Sequence, residues 1–352
     1  MKTILKKRHR KEKLFRCLGL FSLFLTLLFL GSIFTNIIYK GYPAFFRTEI
    51  AASSARTNLF NAHFIYHMKE ELTWITASDE VDMYYKHGQV GKLSLEKLQD
   101  IDALKKKDQI RLVFNTAFFT HSDSREPELA GIWGGLVGSL LTLVVTFLAA
   151  FPLGVGIAIY LEEFAPKNRF THWIEANINN LAAVPSILFG LLGLVFFIHF
   201  MSLPRPSALV GGLTLALMSL PVIVVSTRAA LTTVPSTLKE AALGLGATPL
   251  QVLFHHVIPT ALPGIMTGLI LSLARALGET APLLMIGMVA FIATPPSSFW
   301  DPATVLPVQI FNWSRSPEMG FVENTSGAIL VLLMVLALLN GCAVLIRKKF
   351  ER

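Results

Sequence analysis

Long apolar segments alternate with polar stretches along the whole chain. Six of these segments reach the roughly 20 residues that an α-helix needs to cross a bilayer. They occupy about 18–38, 132–161, 181–201, 208–227, 262–286 and 328–346. The pattern predicts an all-α polytopic membrane protein with about six transmembrane helices.

Residues 41–130, between the first and second spans, are polar enough to form a soluble insertion, for which we predict a small α+β domain. Its predicted elements are a helix with Leu59, Phe60, His63, Phe64 and His67, a helix with Leu95, Leu98 and Ile101 capped by Ser94, and a strand with Ile110, Leu112 and Phe114. His63 and His67 are four residues apart and could bind a metal, but their apolar aromatic neighbours favour ordinary packing.

The stretch 235–260 lies between the fourth and fifth spans and has the pattern of two short helices joined by a turn. Ser236 is the predicted cap of the first helix, Thr248 caps the second, and Pro259 and Pro263 are predicted to end it. The predicted apolar stripes are Leu238, Ala241, Ala242 and Leu245 in the first helix and Leu250, Leu253, Phe254 and Val257 in the second. Such short helices belong at a membrane surface, either as a packed loop or as a docking element for a partner.

Charge then orients the chain. Only 15% of the 352 residues are charged, against about a quarter in soluble domains. The formal net charge is +8, but basic residues concentrate beside apolar segments, at 6–11 and 347–349, which indicates membrane topology rather than nucleic-acid binding. The rule that cytoplasmic loops are basic predicts a cytoplasmic N-terminus at 1–17, a cytoplasmic tail at 347–352, the insertion outside, and 235–260 inside.

The fifth span carries two charges. Gly264, Gly268, Ser272, Arg275 and Glu279 recur at helical spacing, and Arg275 lies about 18 Å beyond Pro263, slightly past the middle of a core about 30 Å thick. Charges at such depth are expensive and usually functional, although a purely structural ion pair is the alternative.

The chemistry of this pair points to an anion pathway. The guanidinium of Arg275 suits a tetrahedral oxyanion, and the carboxylate of Glu279 can accept a hydrogen bond from the proton that phosphate keeps near neutral pH and sulfate lacks. Arg228, just beyond the fourth span, is predicted to contact lipid headgroups.

Two sets of motifs resemble known transport proteins. Glu240, Ala241 and Ala242, followed by Gly246 and Pro259, resemble the EAA loop of ABC importer permeases. That resemblance implies a cytoplasmic coupling loop, 235–260, that inserts into a cleft on an ATPase subunit. The sequence contains no Gly-x-x-x-x-Gly-Lys-Ser/Thr string, so the chain is not expected to bind ATP through a P-loop.

The strings at 151–163, 184–190 and 220–223, and above all Ala274–Leu283, are similar to the PstA-type permease subunits of bacterial ABC phosphate importers. The resemblance implies a type I permease core at 131–346 in the inner membrane, with Arg275, Glu279 and Thr280 in the translocation path. It also implies a non-catalytic chain that binds no cofactor of its own. The implied partners are a second permease subunit, two ATPase subunits carrying ATP and Mg²⁺, and a periplasmic phosphate-binding protein.

Two other functions fit the same sequence. The chain could carry another oxyanion such as sulfate or molybdate, which competition against phosphate uptake would reveal. It could also be a membrane sensor that receives a signal in 41–130 and passes it on through 235–260; deletion of the insertion would then impair regulation before transport.

Overall fold

The computed structural model describes residues 2–51, 74–87, 95–107 and 109–350. The predicted helix with His63 and His67 and the predicted cap Ser94 lie outside these ranges. The chain forms two compact units, the first made of Met1–Phe114 with Val322–Leu330 and the second of Asn115–Phe321 with Val331–Arg352.

The first unit contains a long helix and a small sheet. Helix α1 is Lys2–Gly41, and a 3₁₀ turn at Tyr42–Phe45 leads into the sheet. The remaining elements are β1 Phe46–Ala51, β2 Trp74–Thr76, α2 Asp79–His87, α3 Leu95–Lys106 and β3 Ile110–Phe114. The strands form an antiparallel sheet in the order β2-β1-β3, so the α+β insertion is confirmed.

The core of this unit lies where the sheet meets α2 and α3. Ile50, Val81, Ile101 and Ile110 are buried there. The predicted strand and the second predicted helix are confirmed, but Leu112 and Phe114 are exposed. The alternating pattern was therefore wrong about which strand residues enter the core, since Ile110 is the one fully buried residue of β3.

An ion cluster closes the first unit at the start of the last helix. The Nε2 atom of His87 lies 2.6 Å from Glu323 Oε1, and Lys86 Nζ lies 2.6 Å from Asp82 Oδ2 and 3.4 Å from Glu323 Oε2. Lys86 and Glu323 are both nearly inaccessible to solvent. That helix begins at Gly320, before its predicted start near 328, and Glu323 in its first turn is paired with side chains of the insertion.

Helices make up the regular structure that is described in the second unit. They are α4 Thr116–Thr120, α5 Trp133–Ile159, α6 Arg169–Ala182, α7 Ser186–Gly193, α8 Ala208–Thr232, α9 Ser236–Gly244, α10 Pro249–Val252, α11 Ile258–Gly278, α12 Ala281–Met285, α13 Leu306–Trp313 and α14 Gly320–Phe350, the last shared with the first unit. Three π-helical segments follow α5, α7 and α10, at Tyr160–Phe164, Leu194–Phe200 and Leu253–Val257.

Within the described residues, five helical segments are long and apolar enough to cross a membrane, at Phe15–Phe45, Trp133–Phe164, Ala208–Thr232, Pro249–Gly278 and Gly320–Leu345. The remaining predicted span, 181–201, which is the third along the chain, is not one continuous helix. Helix α6 ends at Ala182 and the next helical run, Ser186–Phe200, is bent from it by 103°. Pro185 causes the break, because it has no N–H to continue α6 and disfavours helical backbone at Val184.

Close packing between α5 and α8 forms the centre of the second unit. A Cβ on Gly212 would overlap the side chain of Val145, so glycine lets the two helices approach. The hydroxyl of Thr146 donates to the Gly212 carbonyl at 3.1 Å and to the Thr142 carbonyl at 2.8 Å. This rigid pair supports the helices on which the candidate functional residues lie.

A buried carboxyl group lies just before α5. The indole Nε1 of Trp313 donates to Asp123 Oδ1 at 2.8 Å, and burial raises the pKa of Asp123 above its ordinary value of 3.8, partly offset by this hydrogen bond. In the loop before α13, Asp301 accepts hydrogen bonds from Ser297 and Ser298, which lower its pKa to about 2.

We expect Asp123→Asn to raise the melting temperature at pH 7, because asparagine keeps an acceptor for Trp313 and removes a buried charge. A raised native pKa gives stability that is complete below the unfolded value and is lost as pH rises through the native value. The gain should therefore shrink toward zero near pH 4 in thermal melts of the purified protein. Asp301→Asn is the control of opposite sign, destabilising at pH 7. An equal gain from Asp123→Asn at every pH would contradict the account.

Candidate functional site

The turn between α9 and α10 requires a glycine at position 246. Gly246 has φ of +89°, a conformation that L side chains rarely adopt. Its N–H donates to the Leu243 carbonyl at 2.9 Å, and the N–H of Ala247 donates to the Ala242 carbonyl at 3.2 Å. This is a Schellman motif, which satisfies the last carbonyls of α9 and turns the chain toward α10.

A capping box starts the second helix. The hydroxyl of Thr248 accepts from the Gln251 N–H at 3.3 Å, and the Gln251 side chain accepts from the Thr248 N–H at 2.8 Å. The prediction that Thr248 caps this helix and that Pro249 begins it is confirmed. The prediction for Ser236 was wrong by one position, because Pro235 occupies the cap and Ser236 is the first residue of α9.

The helix pair from α9 to the π turn, Ser236–Val257, which we call the coupling segment, packs on the membrane helices through one side. Ala242, Val252, Leu253 and Val257 are buried in a cluster with Leu231 of α8. The predicted stripes were only half right, since their other positions, apart from the partly buried Leu238, are solvent-exposed. Glu240 and Ala241 are exposed as well, together with the apolar side chains Leu243, Leu245, Leu250 and Phe254.

The exposed apolar side chains are concentrated near the turn. Leu245 has 90% of its surface accessible. The coupling segment thus presents a carboxylate with several large apolar side chains, and a surface of this kind suits docking to a protein partner.

The second helix does not end at the prolines. It continues through the π turn into α11, and Pro263 lies inside that helix. Pro259 is tolerated because it stands in the first turn after the π segment. The hydroxyls of Thr260 and Thr267 add hydrogen bonds to the His256 and Pro263 carbonyls, each one turn back along the helix. The coupling segment is therefore covalently and helically continuous with the helix that carries Arg275.

The small residues of α11 serve close packing. A Cβ on Gly268 would overlap the side chain of Ser226, and one on Gly264 would lie 2.7 Å from the Ala230 Cβ, both on α8. Ser272, the next residue on the stripe, is also buried. The part of the stripe nearest the coupling segment thus joins α11 to α8, and Arg275, one turn beyond the buried Ser272, is exposed.

Arg275 and Glu279 contact each other as their spacing predicts. The Nε atom of Arg275 lies 3.3 Å from Glu279 Oε1, and their side chains are 48% and 22% exposed. The helix ends at Gly278, so Glu279 is in extended backbone just beyond it. The predicted continuation to 286 was wrong: Thr280 precedes the separate helix α12, and its carbonyl accepts from Leu283 and Leu284.

Neighbouring contacts give the level of Arg275 along the bundle. The next two residues, Ala276 and Leu277, line a small void with Ser139 and Thr142 of α5. Ser139 and Thr142 lie about 9 and 14 Å along α5 from its start at Trp133, at 1.5 Å per residue. Arg275 is thus in the last turn of its own helix and well inside the length of its neighbour. A partly exposed guanidinium at this level requires protein or water opposite it.

Arg228 does not point toward lipid headgroups, as the sequence had suggested. It lies inside α8, where Nε is 3.2 Å from Glu162 Oε2 and Nη2 is 2.9 Å from Glu175 Oε1. Sequence reasoning missed both carboxylate partners. The available signal was a pair of adjacent glutamates, Glu162 and Glu163, at the end of an apolar span, where unpaired charges would be costly.

Comparison with known proteins assigns the family. The family of binding-protein-dependent transport system inner membrane components matches residues 150–352. The chain belongs to this family of transport permeases. It is a multi-pass inner-membrane protein. A second family, a domain of unknown function called DUF3333, matches residues 2–54, which include α1 and β1.

Several curated proteins are similar to this permease over most of their own length. It is 34% identical over 229 residues to the probable ABC transporter permease protein YqgI of Bacillus subtilis (strain 168), covering 61% of this chain and 78% of that protein. It is 33% identical over 239 residues to the phosphate transport system permease protein PstA 1 of Mycobacterium tuberculosis (strain CDC 1551 / Oshkosh), covering 67% and 77%.

A similar relation holds for the phosphate transport system permease protein PstC of Pasteurella multocida (strain Pm70), at 33% identity over 56% of this chain and 69% of that protein. Among solved structures, the inward-facing MetNI methionine ABC transporter aligns over 63% of this chain and 98% of its own, with a TM-score of 0.50 and 22% identity. That likeness confirms the ABC importer permease fold.

Proposed function

We propose that this chain is a permease subunit of an ATP-driven importer that moves inorganic phosphate across the bacterial inner membrane. The observation that carries the proposal is the Arg275–Glu279 pair, which is partly exposed at the end of a membrane-spanning helix. Relatives that are themselves phosphate transport system permeases support the choice of anion.

The pair can distinguish phosphate from sulfate. The guanidinium of Arg275 offers several fixed donors to a tetrahedral oxyanion, while ionised Glu279 can only accept. Phosphate near neutral pH keeps a proton to donate to that carboxylate, whereas sulfate is fully ionised and is repelled. Thr280, next in the chain, adds a hydroxyl that can donate or accept. Binding at this point must stay weak, because a site that held phosphate tightly would not release it.

A second permease subunit completes the pathway in this proposal. The exposed fraction of Arg275 would be expensive against lipid, so the surface opposite must be protein or water. A homologous permease facing α11 would supply it, and a periplasmic phosphate-binding protein would deliver the anion from outside. Both termini of this chain then lie in the cytoplasm, with residues 41–130 in the periplasm.

ATP hydrolysis belongs to partner chains in this account. Two ATPase subunits would hold ATP and Mg²⁺, and one would receive the exposed side of the coupling segment, with Glu240 and Leu245 at the contact. Because the coupling segment continues as one helical run into α11, ATPase closure would move the helix that carries Arg275. That movement would alternate access to the anion path between the two sides.

Labelled-phosphate uptake at low external phosphate tests the function. Cells that lack their own importer permease receive this chain with its partner subunits, and unlabelled sulfate or molybdate is added in 100-fold excess. We expect uptake that neither competitor reduces. Competition by sulfate or molybdate would instead indicate another oxyanion, and no uptake with an assembled complex would favour a sensor.

A further inference from the structure

Two adjacent carboxylates occupy the π turn at the end of α5 and pair with different elements. Glu163 Oε1 lies 2.6 Å from Nζ of Lys239, which is on α9. Glu162 Oε2 lies 3.2 Å from Nε of Arg228, which is on α8. The end of the α5 span is thus joined by charge to both the coupling segment and its neighbouring membrane helix.

Arg228 also holds the end of α5 in place. Its Nη2 lies 2.9 Å from Glu175 Oε1 of α6, so one guanidinium holds α5, α6 and α8 together. All the side chains in these contacts are between 17% and 28% exposed. At this burial they are screened less than fully exposed surface pairs.

The Glu163–Lys239 contact is directional, whereas the apolar contacts of α9 are not. Helix α9 buries Ala242 and partly buries Leu238, and such contacts are non-directional and permit sliding or rotation. A short charge-assisted hydrogen bond is directional and fixes one point of the helix against α5. Lys239 immediately precedes Glu240, so a displacement of the exposed side of α9 reaches this contact directly.

We propose that Glu163 and Lys239 are positioning residues that transmit the movement of the coupling segment to α5, and that they set how much phosphate is moved per ATP hydrolysed. This inference rests on the proposed function. The pair touches neither phosphate nor ATP, and it acts by holding α9 in one orientation against the membrane helices while Arg228 keeps the end of α5 in place.

The test measures phosphate transported per ATP hydrolysed by the purified complex in proteoliposomes. The variants are Glu163→Lys, Lys239→Glu and the double reversal. We expect each single reversal to lower the ratio at least about fivefold and the double reversal to restore it to within about twofold, because contacting residues are energetically coupled. Lys167→Glu, which changes an exposed lysine in the turn before α6, is the matched control and should keep the wild-type ratio.

Two milder variants keep the test decisive where a charge reversal prevents assembly. Lys239→Met keeps most of the side-chain length without the charge and should lower the ratio, whereas Lys239→Arg should retain it. A wild-type ratio in Lys239→Met, or no rescue by the double reversal in an assembled complex, would overturn this inference alone. An assembled wild-type complex that moves no phosphate would overturn the proposed function and this inference with it.

Discussion

Replacing Arg275 by glutamine is expected to lower phosphate uptake at least about 100-fold, since the loss of two charge-assisted hydrogen bonds of roughly 1.5 kcal/mol each gives that factor. Glutamine retains the ability to donate but lacks the charge that attracts an oxyanion. The side chain is 48% exposed, so its replacement leaves no buried cavity, and the complex should assemble normally. Uptake of labelled phosphate is measured together with co-purification of the ATPase subunits.

Arg169→Gln is the matched control, because Arg169 is an exposed arginine at the start of α6 and is far in sequence from the proposed path. It should transport like the wild type. Equal uptake by the wild type and Arg275→Gln would mean that Arg275 and Glu279 form only a structural ion pair. Retained uptake of phosphate with new uptake of sulfate in Glu279→Gln would support the role of the carboxylate in anion choice.

Reversing the charge at Glu240 should separate the chain from its ATPase partner. Glu240 is exposed on α9 beside Lys239, whose own charge is paired with Glu163. Like charges that meet at an interface cost several kcal/mol, so Glu240→Arg should reduce ATPase co-purification and phosphate uptake by at least about tenfold each. Both are measured on membranes that contain equal amounts of the chain.

Glu318→Arg provides the comparison, since Glu318 is an exposed glutamate in the loop before α14. In the proposed topology, this loop and the coupling segment lie on opposite sides of the membrane. Its reversal should leave ATPase co-purification unchanged. Normal co-purification and normal uptake with Glu240→Arg would refute docking through this face of α9.

Local patterns predicted the geometry around the candidate residues well, while their roles in transport stay predictions. The four-residue spacing of Arg275 and Glu279 brings their side chains together even though the helix ends between them. The need for glycine at Gly246 and the cap at Thr248 follow from backbone rules that act within a few residues. Hydropathy likewise found the helices that are long enough to span, because their length is set by the bilayer.

Features that depend on distant partners were beyond such patterns. Glu163 and Lys239 are 76 residues apart, and no periodicity links them. The rule that proline ends a helix holds at Pro185, which the predicted span 181–201 wrongly included, and fails at Pro259, where a π turn leads directly into the next helix. Likewise, the apolar stripes of the coupling segment are buried only where they contact other helices, and the sequence pattern does not show where those contacts are.

The most direct measurement is anion accumulation by the purified complex in proteoliposomes, with phosphate-binding protein on one side and ATP on the other. The account predicts that labelled phosphate accumulates when ATP is hydrolysed, does not accumulate with a non-hydrolysable ATP analogue, and is not displaced by sulfate. An intact complex that hydrolyses ATP but accumulates sulfate, or accumulates no anion, would contradict the assignment of this chain as a phosphate permease.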